Sequence, residues 1–203
     1  MNILPVSNII VAILNFLGGA GFVKIINHFR EKTRKKHLEK LSNNLQDLSQ
    51  IYRIIEQLLQ DSGADKVLIL RASNGGGIPK PGSEMFTKLL YASTIDEDLE
   101  IYQKYNSIKI DGPYVDMLID IQKNGQTYKV IKDMPNSLLK RLYQSENIQY
   151  SEIYFLGNNA NEMYYCIVDS MDIDKKFEEP NKRLSIELGI NDVKKIFNKH
   201  LNN

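Results

Sequence analysis

The chain has 203 residues, with 26 Lys and Arg against 25 Asp and Glu, a formal net charge of +1, and 42% apolar side chains. This balance argues against the basic domain surface that nucleic-acid binding requires. A single cysteine, Cys166, excludes an internal disulfide framework and suits a reducing compartment.

Leu4 to Val23 reads LPVSNIIVAILNFLGGAGFV, without a formal charge. A helix of that length spans about 30 Å, the thickness of a bilayer's hydrocarbon core. Its eleven Ile, Leu, Val and Phe residues favour insertion by about 3–7 kcal/mol, opposed by Asn8 and Asn15. Lys24, Arg30, Lys32, Arg34, Lys35, Lys36 and Lys40 follow. Apolar then basic is the order of a membrane anchor whose remainder faces the cytoplasm, with lipid headgroups as the partner of the basic stretch. No positive segment precedes the run and the charges lie on its other side, which argues against a signal peptide. An interfacial helix and a soluble core helix are the alternatives, and the spacing of Gly18, Gly19 and Gly21 is no clean small-residue pattern. Residues 1–29 are therefore expected to form a transmembrane anchor.

Residues 30–62 are expected to form a connecting helix. Glu31 to Asp61 holds neither Pro nor Gly, and Leu38, Leu41, Leu45, Leu48, Tyr52, Ile55 and Leu59 alternate in steps of three and four. This is an a/d heptad pattern that suits pairing with a second copy, so a homodimer is expected. A second stripe of Ile51, Ile54 and Leu58 predicts that the last turns pack on a domain. The alternative is an amphipathic helix that packs only on its own domain. Ser62-Gly63 supplies the stop.

Residues 63–203 are expected to be one domain. Asp65 to Arg71 reads as a buried strand, broken by Ser73-Asn74-Gly75-Gly76-Gly77. Ser83 to Ser93 fits a strand or a short helix. Thr94 with Glu97 fits a capping box for a helix through Tyr105. Asn106 to Asp111 reads as a strand ended by Gly112-Pro113. Tyr114 to Gln122 has helical spacing, yet Asn124-Gly125 is a hairpin signal, so Met117 to Ile121 could be strand instead. Thr127 to Lys132 reads as a strand, and Pro135-Asn136-Ser137 opens a helix. Tyr150 to Leu156 and Met163 to Val168 form a hairpin, and Asn191 to Leu201 a closing helix. The class is α+β with a mostly antiparallel sheet and flanking helices.

Little in this domain announces chemistry. The histidines are His28, His37 and His200, and none lies between the last two. That removes Ser-His-Asp and Cys-His arrangements and the usual transition-metal ligands. NGGGIPKPG is not a phosphate-binding P-loop. Asp169, Asp172 and Asp174 lack the spacing of a calcium loop and read as solvated. Tyr114, Tyr128, Tyr150, Tyr154, Tyr164 and Tyr165 read mostly as core or interface residues.

The helix LSQIYRIIEQLLQDSGADKVLILRASNGGG (Leu48 to Gly77), the strand QTYKVIKD, the helix SLLKRLYQSENI and the hairpin YSEIYFLGNNANEMYYCIVDS together resemble a GAF-type sensor domain over roughly Leu45 to Leu201. The resemblance implies a sheet with helices on one side and a ligand pocket on the other, a candidate pocket being placed around Arg71, Asn74, Gly75, Gly76 and Asp133. The cyclic-nucleotide signature of that family is absent, Cys166 sits inside a strand rather than at a bilin attachment point, and no histidine is placed to hold haem. The expected function is thus a membrane-anchored, non-catalytic module that senses a small ligand or binds a partner protein, with no metal and no nucleic acid. The alternatives are an enzyme using carboxylate, Tyr and Lys groups in that pocket, and a membrane-located accessory protein of phage or defence origin.

Overall fold

The computed structural model describes residues 20–75, 79–96, 98, 100–174 and 177–201, with side chains from residue 27 onward. The apolar run Leu4–Val23 lies outside these residues except for its last four positions. Among the described residues no helix is long and apolar enough to cross a membrane.

The chain divides into residues 1–48 and 49–203. In the first unit the described residues are helical and belong to α1 (Ala20–Ser62). Its stripe residues Leu38, Leu41 and Leu45 are more than half exposed, at 54%, 54% and 56%.

The second unit is built on a five-stranded antiparallel sheet, ordered β2-β1-β5-β4-β3. The strands are β1 (Lys66–Ser73), β2 (Phe86–Thr94), β3 (Gln126–Val130), β4 (Tyr150–Asn158) and β5 (Glu162–Ser170). Helices α2 (Ile101–Tyr105), α3 (Gly112–Asn124), α4 (Leu138–Ser145) and α5 (Pro180–Leu201) complete it. Because side chains alternate along a strand, each central strand feeds two cores. Val67, Ile69, Cys166 and Val168 face the last turns of α1 (Ile51, Ile55, Leu58, Leu59) and α5 (Ile186, Ile190, Val193). Leu68, Leu70, Tyr165 and Ile167 face α2, α3 and α4 through Tyr105, Tyr114, Leu118 and Tyr143. Each such side chain, fully buried, contributes roughly 1.5–3 kcal/mol.

Helix α1 stops where the sequence says. Gly63 takes φ +67°, Ser62 Oγ donates to the Leu58 carbonyl at 2.6 Å, and the Ala64 N–H donates to Ser62 Oγ at 3.1 Å. Several boundaries differ from expectation. Within Ser83 to Ser93 the chain is strand β2 from Phe86 onward, and Met117 to Ile121 is helix. Asn124-Gly125 closes α3 rather than turning a hairpin: Gly125 has φ +80° and its N–H donates to the Ile121 carbonyl. Asn106 to Asp111 is not a strand. It runs beside β2 with a single bridge, Phe86 to Lys109, because Ser107 at φ +59° breaks the ladder. Gly112-Pro113 starts α3, with Pro in its first turn and Asp111 as the N-cap. The helix ending at Tyr105 begins only at Ile101, although Thr94 Oγ1 does accept from the Asp98 N–H at 3.2 Å. Strand β3 gives way to a 3-10 turn over Ile131–Asp133, and the closing helix starts at Pro180 rather than Asn191.

Candidate functional site

Two features stand out on the face covered by α2, α3 and α4. The first is a groove of about 520 Å³ between the start of α3, strand β3 and the approach to α4. Its residues all come from the stretch 113–139, and one carboxylate shapes it. Asp111 Oδ1 accepts from the Tyr114 N–H at 3.2 Å and Oδ2 from the Leu138 N–H at 2.7 Å, so a single side chain caps the starts of α3 and α4. Ser137 Oγ adds a bond from the Lys140 N–H.

Asp116, Asp120 and Asp133 line the groove against one cation, Lys129, with Met134, Pro135 and Leu139 as apolar walls. A hydrogen bond from Thr127, joined by Asn124 and Lys129, holds the Asp120 carboxyl below its ordinary range. Asn124 Nδ2 donates to it at 2.7 Å, and the Lys129 ammonium lies 3.8 Å away. Tyr128, opposite Glu152 in the ladder, turns to the other face of the sheet, where it is 69% exposed and stacks on Tyr150 at 6.3 Å. The arrangement offers net negative charge beside a short apolar wall.

The second feature lies under the helices. Asp169 is fully buried, and neither carboxylate oxygen has a hydrogen-bond partner of good geometry; the same holds for the Tyr105 hydroxyl. Burial pushes the Asp169 carboxyl up to about 7, against the pull of the Ser151 hydroxyl and Lys66. Burial and then the Asp169 charge push the Tyr105 hydroxyl well above its usual value. Around it Tyr114 and Tyr165 share a 2.7 Å hydroxyl bond, and Tyr143 meets Ser151 at 3.1 Å. Lys66 pairs with Glu146, and Lys104 bridges Glu146 at 3.1 Å and Asp98 at 2.8 Å. Burial raises the Glu146 carboxyl, but the bonds from Lys66 and Lys104 outweigh it and leave it below the ordinary value.

The residues singled out from sequence do not meet in one pocket. Asp133 lines the groove. Arg71 Nη1 pairs with Glu162 Oε1 at 2.8 Å on the other face of β1. Asn74 and Gly75 form the bend after β1, where Gly75 takes φ +83°, and Gly76 is outside the described residues. Register explains the separation. Ser73 pairs with Glu162 at the β4-β5 hairpin, whereas Val130 pairs with Tyr150, itself opposite Ser170 at the far end of the sheet. Asp169 also differs from its reading as loop: β5 continues through Ser170 and carries it inside. The alternation Tyr165, Ile167, Asp169 was the signal available for its position. Among the described residues no group of three or more His, Cys, Asp and Glu could hold a metal.

No family model matches the chain, and no curated protein matches it in sequence. Solved structures do match in fold. The GAF domain region of a Geobacter sulfurreducens PCA protein described as a membrane protein aligns with TM-score 0.54 and 13% identity, over 79% of this chain and 98% of that one. The phycocyanobilin-bound GAF domain of a cyanobacterial phytochrome aligns with TM-score 0.51 and 8% identity, over 82% and 92%. A red/green cyanobacteriochrome in its red light-absorbing state aligns with TM-score 0.51 and 9% identity, over 75% and 95%. The domain therefore has the GAF fold.

Proposed function

We propose that the chain is a membrane-tethered, cytoplasm-facing sensing module whose GAF-fold domain takes a small molecule in the 113–139 groove and performs no reaction on it. The groove carries the reading. Its volume of about 520 Å³ falls within the roughly 300–1,000 Å³ of small-molecule sites. Three carboxylates against one lysine, beside Met134 and Leu139, suit a ligand with a cationic amine and an apolar body. The tether rests on the order of the apolar run and the basic stretch. The exposed α1 stripe supports pairing with a second copy of the chain.

Full-length chain expressed in bacteria tests this. It is expected to sediment with membranes, resist an alkaline wash, and give a dimer with a small-molecule adduct by native mass spectrometry from detergent. Asp116→Lys is expected to remove the adduct. A freely soluble monomer overturns the tether and the pairing, and a membrane-bound chain without adduct overturns the groove as a ligand site.

A further inference from the structure

Lys66 and Asp169 stand directly opposite each other on β1 and β5, on the same face of the sheet. Facing side chains at such a pair are within reach of one another, their Cβ atoms being about 5 Å apart. Yet the Lys66 ammonium is committed elsewhere, to Glu146 at the end of α4, while Asp169 has no ion-pair partner and only the Ser151 hydroxyl pulling on it. Both ends of the existing pair are buried, at 4% and 8% exposure. Lys66 therefore stands within reach of two carboxylates, Asp169 and Glu146, and holds only the second.

We propose that Lys66, Asp169 and Glu146 form a proton-operated exchange of ion pairs that sets how firmly α2 and α4 are held to the sheet. With Asp169 protonated, Lys66 holds Glu146, and Lys104 joins Glu146 to Asp98 ahead of α2. When Asp169 releases its proton to solvent, an unpaired carboxylate is left in the core, which is the costliest state available to it. Lys66 then turns across the ladder to Asp169, and Glu146 keeps only Lys104. The Tyr105 hydroxyl, without a partner and within the field of Asp169, supplies a second donor.

The surroundings confine titration to this exchange. Toward Asp169, β1 presents Lys66 and the residue before it Asp65, β4 presents Ser151, α2 presents Tyr105, α3 presents Tyr114, and α4 with its cap presents Tyr143 and Glu146. The tyrosines are all raised from their usual value, mainly by burial. Glu146 and Asp98 are lowered and stay ionised near neutrality. Asp169, raised by burial to about 7, is the group placed to change. The inference is independent of what fills the groove.

Hydrogen exchange on the full-length protein, corrected for the intrinsic pH dependence of amides, tests it. The ionised fraction of Asp169 rises roughly tenfold between about pH 6 and pH 8. Exchange in α2 and over residues 138–146 is expected to rise by a similar factor, with α5 unchanged as the internal control. Asp169→Asn is expected to hold both segments at their slow rate throughout. Glu146→Gln, which frees Lys66 for Asp169, is expected to move the change to lower pH. Wild-type protein whose α2 and α4 respond no more than α5, or an Asp169→Asn variant that keeps the response, overturns the proposal.

Discussion

Asp111 accepts a hydrogen bond from the backbone N–H of Leu138, 27 positions further along the chain and 2.7 Å away. The same carboxylate caps α3 through the Tyr114 N–H, so it joins the two helices that border the groove. Replacing a capping Asp by Ala costs about 1 kcal/mol per helix start. Asp111→Ala is therefore expected to lower stability by about 2 kcal/mol, read from urea unfolding. Asp111→Asn, with one acceptor oxygen, is expected to lose about half of that.

Asp169 is expected to dominate the pH dependence of stability. Burial pushes its folded carboxyl up to about 7, whereas an unfolded Asp titrates near 3.9. The folded state thus holds the proton more tightly. No penalty exists below about pH 4; stability is lost as pH rises from there to about 7, by an amount on the order of 4 kcal/mol if Lys66 gives no relief. Calorimetry is expected to show a lower midpoint at about pH 8 than at about pH 5. Asp169→Asn is expected to match the wild type near pH 4 and exceed it at pH 8. Glu146, whose carboxyl is lowered, works in the opposite sense and loses its contribution only as pH falls below the ordinary carboxylate range.

The strands of the sheet were legible because alternation of apolar side chains is local information, and β1, β3, β4 and β5 fall where it places them. The errors come from signals with two physical meanings. Asn124-Gly125 demands a positive φ, which a hairpin and a helix C-cap both need, and only the packing of Met117, Leu118 and Ile121 decides between them. Asn106 to Asp111 alternates like a strand, but Ser107 leaves the extended region. Helix α5 was read too short because Leu184 and Leu188, at 55% and 57% exposure, do not continue its buried stripe. The candidate site was the least legible part. Asp169 lies one residue beyond the apolar run of its strand, and a carboxylate there reads as solvated until the neighbouring helices are in place.

Glu152 is buried on β4 and accepts hydrogen bonds from Tyr150 at 2.9 Å, from Tyr154, and from Arg183 Nη1 at 2.7 Å. Arg183 is a third exposed, so solvent screens part of the pair. Arg183→Met leaves a buried carboxylate with two phenols and is expected to cost about 2–3 kcal/mol. Glu152→Gln in that background is expected to recover part of the loss by removing the uncompensated charge. A double mutant no more stable than Arg183→Met would assign the damage to lost packing of the arginine stem.

Gly189 marks the tight crossing of α5 over the end of α1. A Cβ there would stand 2.9 Å from Leu58 Cδ1 and 3.7 Å from Ile54 Cγ2, both side-chain ends. Two effects oppose each other on substitution. Alanine gains about 1 kcal/mol of helix propensity over glycine, while Leu58 must move by a few tenths of an ångström in a core where it is 2% exposed. Since the crowded atom is a mobile methyl rather than backbone, Gly189→Ala is expected to change stability by less than about 1 kcal/mol. Gly189→Leu has no such relief and is expected to cost about 3 kcal/mol or more, by forcing α5 off the sheet. Thermal unfolding of the two variants checks this directly, and equal losses in both would mean that the crossing has no room to adjust.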